Sequence, residues 1–432
     1  MTNQSVRVGL MGMGTVGTGV YRLVESHQED LSQQTGMNIE IARILVQDKE
    51  KKRTIDVESD LFTDDPDSLL QDPEIDVIVE VMGGVERTRE HILAALQQGK
   101  HVVTANKDLM AVHGGELLEE AAKNGCDLFY EASVAGGIPI LRALVEGFSS
   151  DRITKMMGIV NGTSNYILTK MSQEGGNYED VLKEAQELGY AEADPTADMG
   201  GLDAARKMSI LSTLGFHVGM NLDEVDCNGM ENVTLEDIEY AEQLGYTIKL
   251  IGIAKQDDNL IEVSVEPTML KHSHPLSSVH GVFNAVYVYG EAVGETMFYG
   301  PGAGELPTAN AVVSDLVTVV KNMKLGVNGR GMVAPYKEKK LKKDEEIFSK
   351  YFMRLLVDDQ SGVLAQITQK LAGYDVSIEQ VIQRPHHLEH KAELIIVTHQ
   401  SSKKGIQEVL SELEKLEHIE EIKSYYRVEN GD

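Results

Sequence analysis

The chain is poor in three things, and each scarcity removes a class of function. Among its 432 residues there are two cysteines, Cys126 and Cys227, far apart and in no metal-ligand spacing. They make neither a disulfide framework nor a zinc site, and they suit a reducing cytoplasm. Positive charge is scarce too: 40 Lys and Arg stand against 69 Asp and Glu, a net charge of -29. That balance argues against nucleic acid and anionic membrane surfaces as partners. It also obliges any anionic cofactor to find a locally positive or dipole-based site. No apolar run is long enough to span a membrane, and MTNQS leads straight into VRVGLM with no signal peptide. What is present is an ordinary apolar fraction of 42% on a chain too long for one core, so two or three domains are expected.

The first segment carries a nucleotide signal. Val6 to Met11 reads as a strand, followed by Gly12-Met13-Gly14-Thr15-Val16-Gly17 and a helical pattern, VYRLVESHQEDL. A G-x-G-x-x-G between strand and helix lets the backbone approach a pyrophosphate at a helix N-terminus. A second strand, Ile39 to Val46, runs into Gln47-Asp48-Lys49-Glu50-Lys51-Lys52-Arg53. An acid there favours the ribose 2′-OH of NAD and a cation the 2′-phosphate of NADP. The two signals conflict, so the expected cofactor is NADP or NAD. Val77 to Val81 ends in Met82-Gly83-Gly84, and the strand HVVTA leads to Asn106-Lys107. Lys107 therefore sits at a strand end, where a cation reaches cofactor and substrate together. A further strand, Leu128 to Ala132, opens Glu131 to Pro139. One carboxylate followed by small residues offers oxygen-only ligation, suited to a hard cation and not to zinc. On the residues alone the same stretch reads as a strand–turn–helix junction.

The middle is organised around Gly189 to Lys207, GYAEADPTADMGGLDAARK. Pro195, Gly200 and Gly201 break its first part into a loop. From Leu202 a helix is expected, with Asp203 and Lys207 four apart on one face. Acids feeding a helix that carries a lysine can grip an amino group beside a proton donor; a solvated acidic loop is the blander reading. The order Ala185, Gly189, Glu192, Asp194-Pro195-Thr196, Asp198, Gly201, Asp203, Lys207 resembles the signature of homoserine dehydrogenases, with no gap and no missing polar position. The TANK run ending at Lys107 is similar to a second hallmark of that family. The resemblance implies that Glu192 and Asp198 hold homoserine, that Asp203 supports catalysis, and that Lys207 gives the substrate oxygen its proton. It implies that Lys107 contributes to substrate binding and proton handling. It also implies a structural sodium ion held by Glu131, Val134, Gly136 and Ile138, and a contact of the Gly300–Gly304 loop, at Gly302, with the nicotinamide end of the cofactor. In Asn161-Gly162-Thr163-Ser164-Asn165, Thr163 and Asn165 orient substrate or cap the next helix, and capping is favoured. His272, His274 and His280 read as loop histidines.

The tail alternates strand, helix, strand, strand, helix, strand, the order of a ferredoxin-like sandwich. With its D-x-x-x-G-V-L turn it resembles an ACT domain. In related enzymes that module senses threonine, at a site the turn Asp359 to Leu364 would line; the competing reading is that it only holds subunits together. The fold expected is α/β. A Rossmann-type doubly wound domain spans 1–145 with a return helix at 306–325, and an α+β substrate and dimerisation domain spans 146–305. A linker at 326–348 precedes an ACT domain at 349–428. The function expected is NAD(P)H-dependent interconversion of L-aspartate 4-semialdehyde and L-homoserine in a cytoplasmic homodimer or homotetramer, with no preceding kinase domain. The alternatives are an amino-acid sensor with a vestigial dehydrogenase site, and a lyase or isomerase that uses NAD transiently.

Overall fold

A computed structural model describes residues 5–329, 335–387 and 390–429. It forms two compact units. The first comprises Met1–Met156, Arg206–Glu224 and Asn284–Glu338, the second Met157–Ala205, Val225–Phe283 and Lys339–Asp432.

In the first unit, six parallel strands are β1 (Ser5–Met11), β2 (Asn38–Leu45), β3 (Phe62–Thr63), β4 (Val77–Glu80), β5 (His101–Thr104) and β6 (Leu128–Phe129). Their order is β3-β2-β1-β4-β5-β6, the doubly wound arrangement whose nucleotide crevice lies beyond the carboxyl ends of β1 and β4. The central strands read as continuous apolar runs because helices cover both faces. The first helix begins at Thr15, directly after Gly14, and stops at Ser26. His27 separates it from a second helix, Gln28–Thr35, so the expected single helix is two. Helix Glu305–Leu325 lays Ala309, Val312, Leu316 and Val320 into the same core as Val8, Leu10 and Val20. The strand expected over Leu128 to Ala132 stops at Phe129, and Glu131–Ser133 turn into a 3₁₀ helix. Glu131 donates its backbone N–H to Asp315 instead of to a neighbouring strand.

In the second unit, six strands form one sheet path: β7 (Tyr246–Asp257), β8 (Leu260–Lys271), β9 (Phe348–Asp358), β10 (Ile378–Pro385), β11 (Lys391–Thr398) and β12 (Ile419–Glu429). Their order is β7-β8-β12-β9-β11-β10. The last four, with helices Val363–Gly373 and Lys403–Leu413, complete the ferredoxin-like sandwich. That module does not stand apart, because β12 pairs parallel to β8, Thr268 opposite Arg427. Within the stretch expected as a linker, Lys340–Leu341 pair with Leu260 and Ile261; residues 330–334 of that stretch, and 388–389 between β10 and β11, lie outside the described residues.

Buried ions lock the join. Arg427 faces Glu262 at 3.0 Å, Glu429 at 2.9 Å and Glu266 at 3.5 Å. Arg354 faces Asp237 at 2.8 Å and Glu393 at 3.2 Å. Asp237 closes a capping box with Thr234 at the start of helix Leu235–Gln243 and accepts from Ser424 and Tyr426. Removing Arg354 would strand two buried carboxylates. Arg354→Met is therefore expected to lower unfolding free energy by about 3–5 kcal/mol, read by urea denaturation; an unchanged midpoint would contradict the role given to this pair.

Candidate active site and cofactor cleft

Beyond the carboxyl ends of the strands of the first unit lies a cleft of about 720 Å³, lined by Gly12, Met13 and Gly14 on one side and Met82, Gly83 and Gly84 on another. The glycines are there for space. A Cβ at Gly17 would meet the Gly12 carbonyl oxygen at 2.2 Å, so the helix can start tight against the loop only without one. Gly14 precedes the helix with no side-chain cap, which leaves its first N–H groups available to phosphate oxygens. Thr15, Val16 and Gly17 form the start of the helix behind the loop.

The charged run after β2 divides into separate jobs. Arg53 donates to the carbonyls of Asp48 and Lys51 and lies over the Phe62 ring at 4.1 Å. Lys49 pairs with Asp64 at 2.9 Å. Asp48 accepts from the N–H of Glu50, folding its own turn. Gln47 and Lys51 line the cleft, joined by Arg87 from helix Glu86–Gln97. Nothing in the residues alone marks Arg87, which lies on the helix after β4 and not in the run after β2.

Lys107 is the first residue of helix Lys107–Lys123, capped by Asn106, whose side chain accepts from Leu109 N–H at 3.1 Å. Its neighbour Asp108 pairs with Arg206 at 2.9 Å. The ion pair sets the chain at Lys107 beside the chain at Lys207, since each lysine adjoins one partner. Lys207 lies on helix Leu202–Phe216, one turn beyond Asp203.

In the second unit, Asn161 brings two expected acids together. Its Nδ2 donates to Asp198 Oδ1 at 2.7 Å and to Asp203 Oδ2 at 2.9 Å, and its Oδ1 accepts from Ser164 N–H, capping helix Gly162–Glu174. The cap is thus Asn161, not Thr163 or Asn165. Thr163 donates to the Tyr190 carbonyl. Asn165 donates to the carbonyls of Gly281 and Phe283 and accepts from buried Lys249, whose pKa burial lowers to about 7. Asp194 caps its own turn by accepting from the N–H and hydroxyl of Thr196, so the expected loop contains a short helix, Thr196–Met199. Glu192 is exposed just before it. His274 is buried and accepts from Leu276 N–H. Among the described residues no group of three His, Cys, Asp or Glu is placed to hold a metal.

Of the residues expected to hold sodium, Glu131 belongs to a second acidic centre. Glu131 accepts from the N–H groups of Leu141 and Arg142 at 2.7 and 2.8 Å. Asp315 accepts from Glu131 N–H and pairs with Arg142. A Cβ at Gly136 would meet the Gly302 carbonyl oxygen at 2.4 Å, so the loops of Gly136 and Gly302 touch. Two buried carboxyl groups thus meet at Arg142, its guanidinium on Asp315 and its backbone N–H on Glu131. Burial first, then the Glu131 charge, pushes the Asp315 pKa up to about 7, and burial raises Glu131 as well. The centre therefore holds more acid than its one arginine can balance.

Three family profiles match the chain: "Homoserine dehydrogenase, NAD binding domain" over residues 12–131, "Homoserine dehydrogenase" over 139–317, and "ACT domain" over 351–418. A homoserine dehydrogenase of Bacillus subtilis strain 168 is 55% identical over 429 residues, 99% of each chain. The crystal structure of a homoserine dehydrogenase from Thiobacillus denitrificans superposes with a TM-score of 0.93 at 39% identity, covering 99% of both chains. A hyperthermophilic archaeal homoserine dehydrogenase in complex with NADPH superposes with a TM-score of 0.62 at 26% identity, over 73% of this chain and 98% of that one.

Because the folded state raises the Asp315 pKa, this group's contribution to stability is present below the ordinary carboxylate range and is lost as pH rises from about 4 to about 7. Asp315→Asn should remove that part of the pH slope in thermal denaturation, in buffers free of sodium. Identical slopes for both proteins would contradict the charge surplus.

Proposed function

The chain belongs to the homoserine dehydrogenase family and is an NAD(P)-dependent oxidoreductase that interconverts L-aspartate 4-semialdehyde and L-homoserine, and we propose that the groups described above divide that reaction among them. The coenzyme gives or takes the hydride; the protein holds both reactants and manages one proton. Lys207 donates that proton to the substrate oxygen in the reducing direction, Asp203 orients it from one helical turn away, and Lys107 assists. Glu192 and Asp198 hold the substrate ammonium by charge-assisted hydrogen bonds. The observation that carries this reading is the convergence of Asp198 and Asp203 on one amide, Asn161. Asn161 thereby holds Asp198, the acid for the ammonium, beside Asp203, the acid that orients the proton donor.

For the metal, Glu131 with the carbonyls of Val134, Gly136 and Ile138 would hold sodium, whose charge would offset the Glu131–Asp315 surplus and brace the Gly302 loop. For regulation, threonine or a similar amino acid would bind the ACT module at the turn Asp359 to Leu364. Two contacts support coupling to the substrate loop. Lys403 of the module pairs with Asp226, and the segment after Asp226 backs that loop, with Met230 N–H on the Met199 carbonyl and Cys227 Sγ on the Gly200 carbonyl. Strand β10 ends the sheet with Val381 exposed, consistent with assembly into a cytoplasmic dimer or tetramer.

NADP is the preferred coenzyme in this account. Asp48 lines the cleft while accepting from Glu50 N–H in its own turn, and three cations, Lys51, Arg53 and Arg87, line it for a 2′-phosphate; the archaeal relative was solved with NADPH. Initial rates of coenzyme oxidation with aspartate semialdehyde should favour NADPH over NADH, and Arg87→Ala should raise KM for NADPH about tenfold or more, a loss of charge-assisted phosphate binding, with KM for NADH little changed. Equal effects on both coenzymes would remove Arg87 from the phosphate site.

A further inference from the structure

We propose that Glu80 is a positioning residue for the reaction, setting the floor of the coenzyme cleft and the start of the Lys107 helix as one piece. Glu80 ends β4 and is fully buried, on a strand whose other residues are apolar. Its Oε1 accepts from the N–H groups of Met82 at 2.8 Å and Gly83 at 3.1 Å. Its Oε2 accepts from the Thr104 hydroxyl at 2.5 Å. That hydroxyl in turn accepts from Asn106 N–H at 3.0 Å. Asn106 closes the circuit, since its Nδ2 donates to the Gly84 carbonyl at 2.7 Å while its Oδ1 caps the helix that Lys107 begins. Thr88 fixes the remaining side by donating to the Gly83 carbonyl.

Two loops from adjacent strands, Met82–Gly84 and Ala105–Lys107, are thereby joined through a single carboxylate. A surface acid would cost nothing at this place, whereas a buried carboxylate is expensive unless several donors face it. A chain needing only a sheet core would carry another valine here. Three donors from two loops give the carboxylate a geometric task instead. The Met82–Gly84 loop lines the coenzyme cleft, and Asn106 fixes where Lys107 starts. Small displacements of a reacting group are costly, about 100-fold for an ångström, and such groups need a supporting shell of locked hydrogen bonds.

The inference rests on the reading of Lys107 as a group that handles substrate and proton, and the test separates the two. Glu80→Gln keeps the volume but cannot accept from all three donors at once. Thr104→Val removes the hydroxyl that links Glu80 to Asn106, and Thr104→Ser retains it. Steady-state kinetics on the full chain should show kcat reduced tenfold or more in Glu80→Gln and in Thr104→Val, near wild type in Thr104→Ser, and no lower in the double variant than in either single one. In a Lys107→Met background, Glu80→Gln should lower kcat no further. Wild-type kcat in folded Glu80→Gln and Thr104→Val would overturn the proposal. So would a full additional loss from Glu80→Gln in the Lys107→Met background, which would mark Glu80 as acting on the fold alone. Wild-type kcat in Lys107→Met itself would instead sink the reading of Lys107. If Glu80→Gln fails to fold, the contrast between valine and serine at position 104 decides.

Discussion

The structure depends on how an acidic chain keeps carboxylates inside. With so few cations available, ion pairing cannot neutralise every buried acid, and an uncompensated one costs several kcal/mol. The recurring solution is donation from neutral groups. Asn161 supplies its amide to Asp198 and Asp203. Two backbone N–H groups and a hydroxyl hold Glu80. The N–H groups of Leu141 and Arg142 hold Glu131. Donors of this kind stabilise a negative charge without cancelling it. The acids therefore keep their attraction for a cation that arrives later, as a substrate ammonium does.

Three of the scarce guanidinium groups serve the structure. Arg427 and Arg354 join the ACT sheet to the strands and the helix beside it, and Arg142 serves Asp315. The consequence for regulation is that the ACT module is continuous with the second unit through strand pairing and buried ions. A change in the module would have a covalent and hydrogen-bonded route to the segment that backs Met199 and Gly200. An ACT module hung on a flexible linker would lack that route.

Much of this was legible in the residues. The strand, glycine loop and helix at Val6 to Gly17 declare a nucleotide fold because those backbone demands are local. The alternation of strand and helix in the tail declares a ferredoxin-like sandwich for the same reason. From Ala185 to Lys207 it was the resemblance to the homoserine dehydrogenase signature, not charge, that singled out the acids and the lysine. What could not be read is pairing at long range. Glu80 looks like one more residue of VIVEV, and nothing near it in the chain announces Thr104. Asp315 sits in an apolar helix 184 residues from the Glu131 it serves. The lysines and arginine after β2 looked like a phosphate site, yet Arg53 and Lys49 are engaged in holding their own loop. Asn161 was visible as a turn residue, but its second role needed the fold of the loop opposite.

Of the contacts that the proposed roles need, the amide bridge from Asn161 to Asp198, proposed to hold the substrate ammonium, and to Asp203, proposed to orient Lys207, matters most. Asn161→Ser tests it most directly, because serine still caps the helix but is too short to bridge Asp198 and Asp203. In the folded variant kcat/KM for homoserine is expected to fall about tenfold or more, in line with the loss of hydrogen bonds to charged groups, while KM for the coenzyme stays near wild type. An unchanged kcat/KM for homoserine in the folded variant would contradict it.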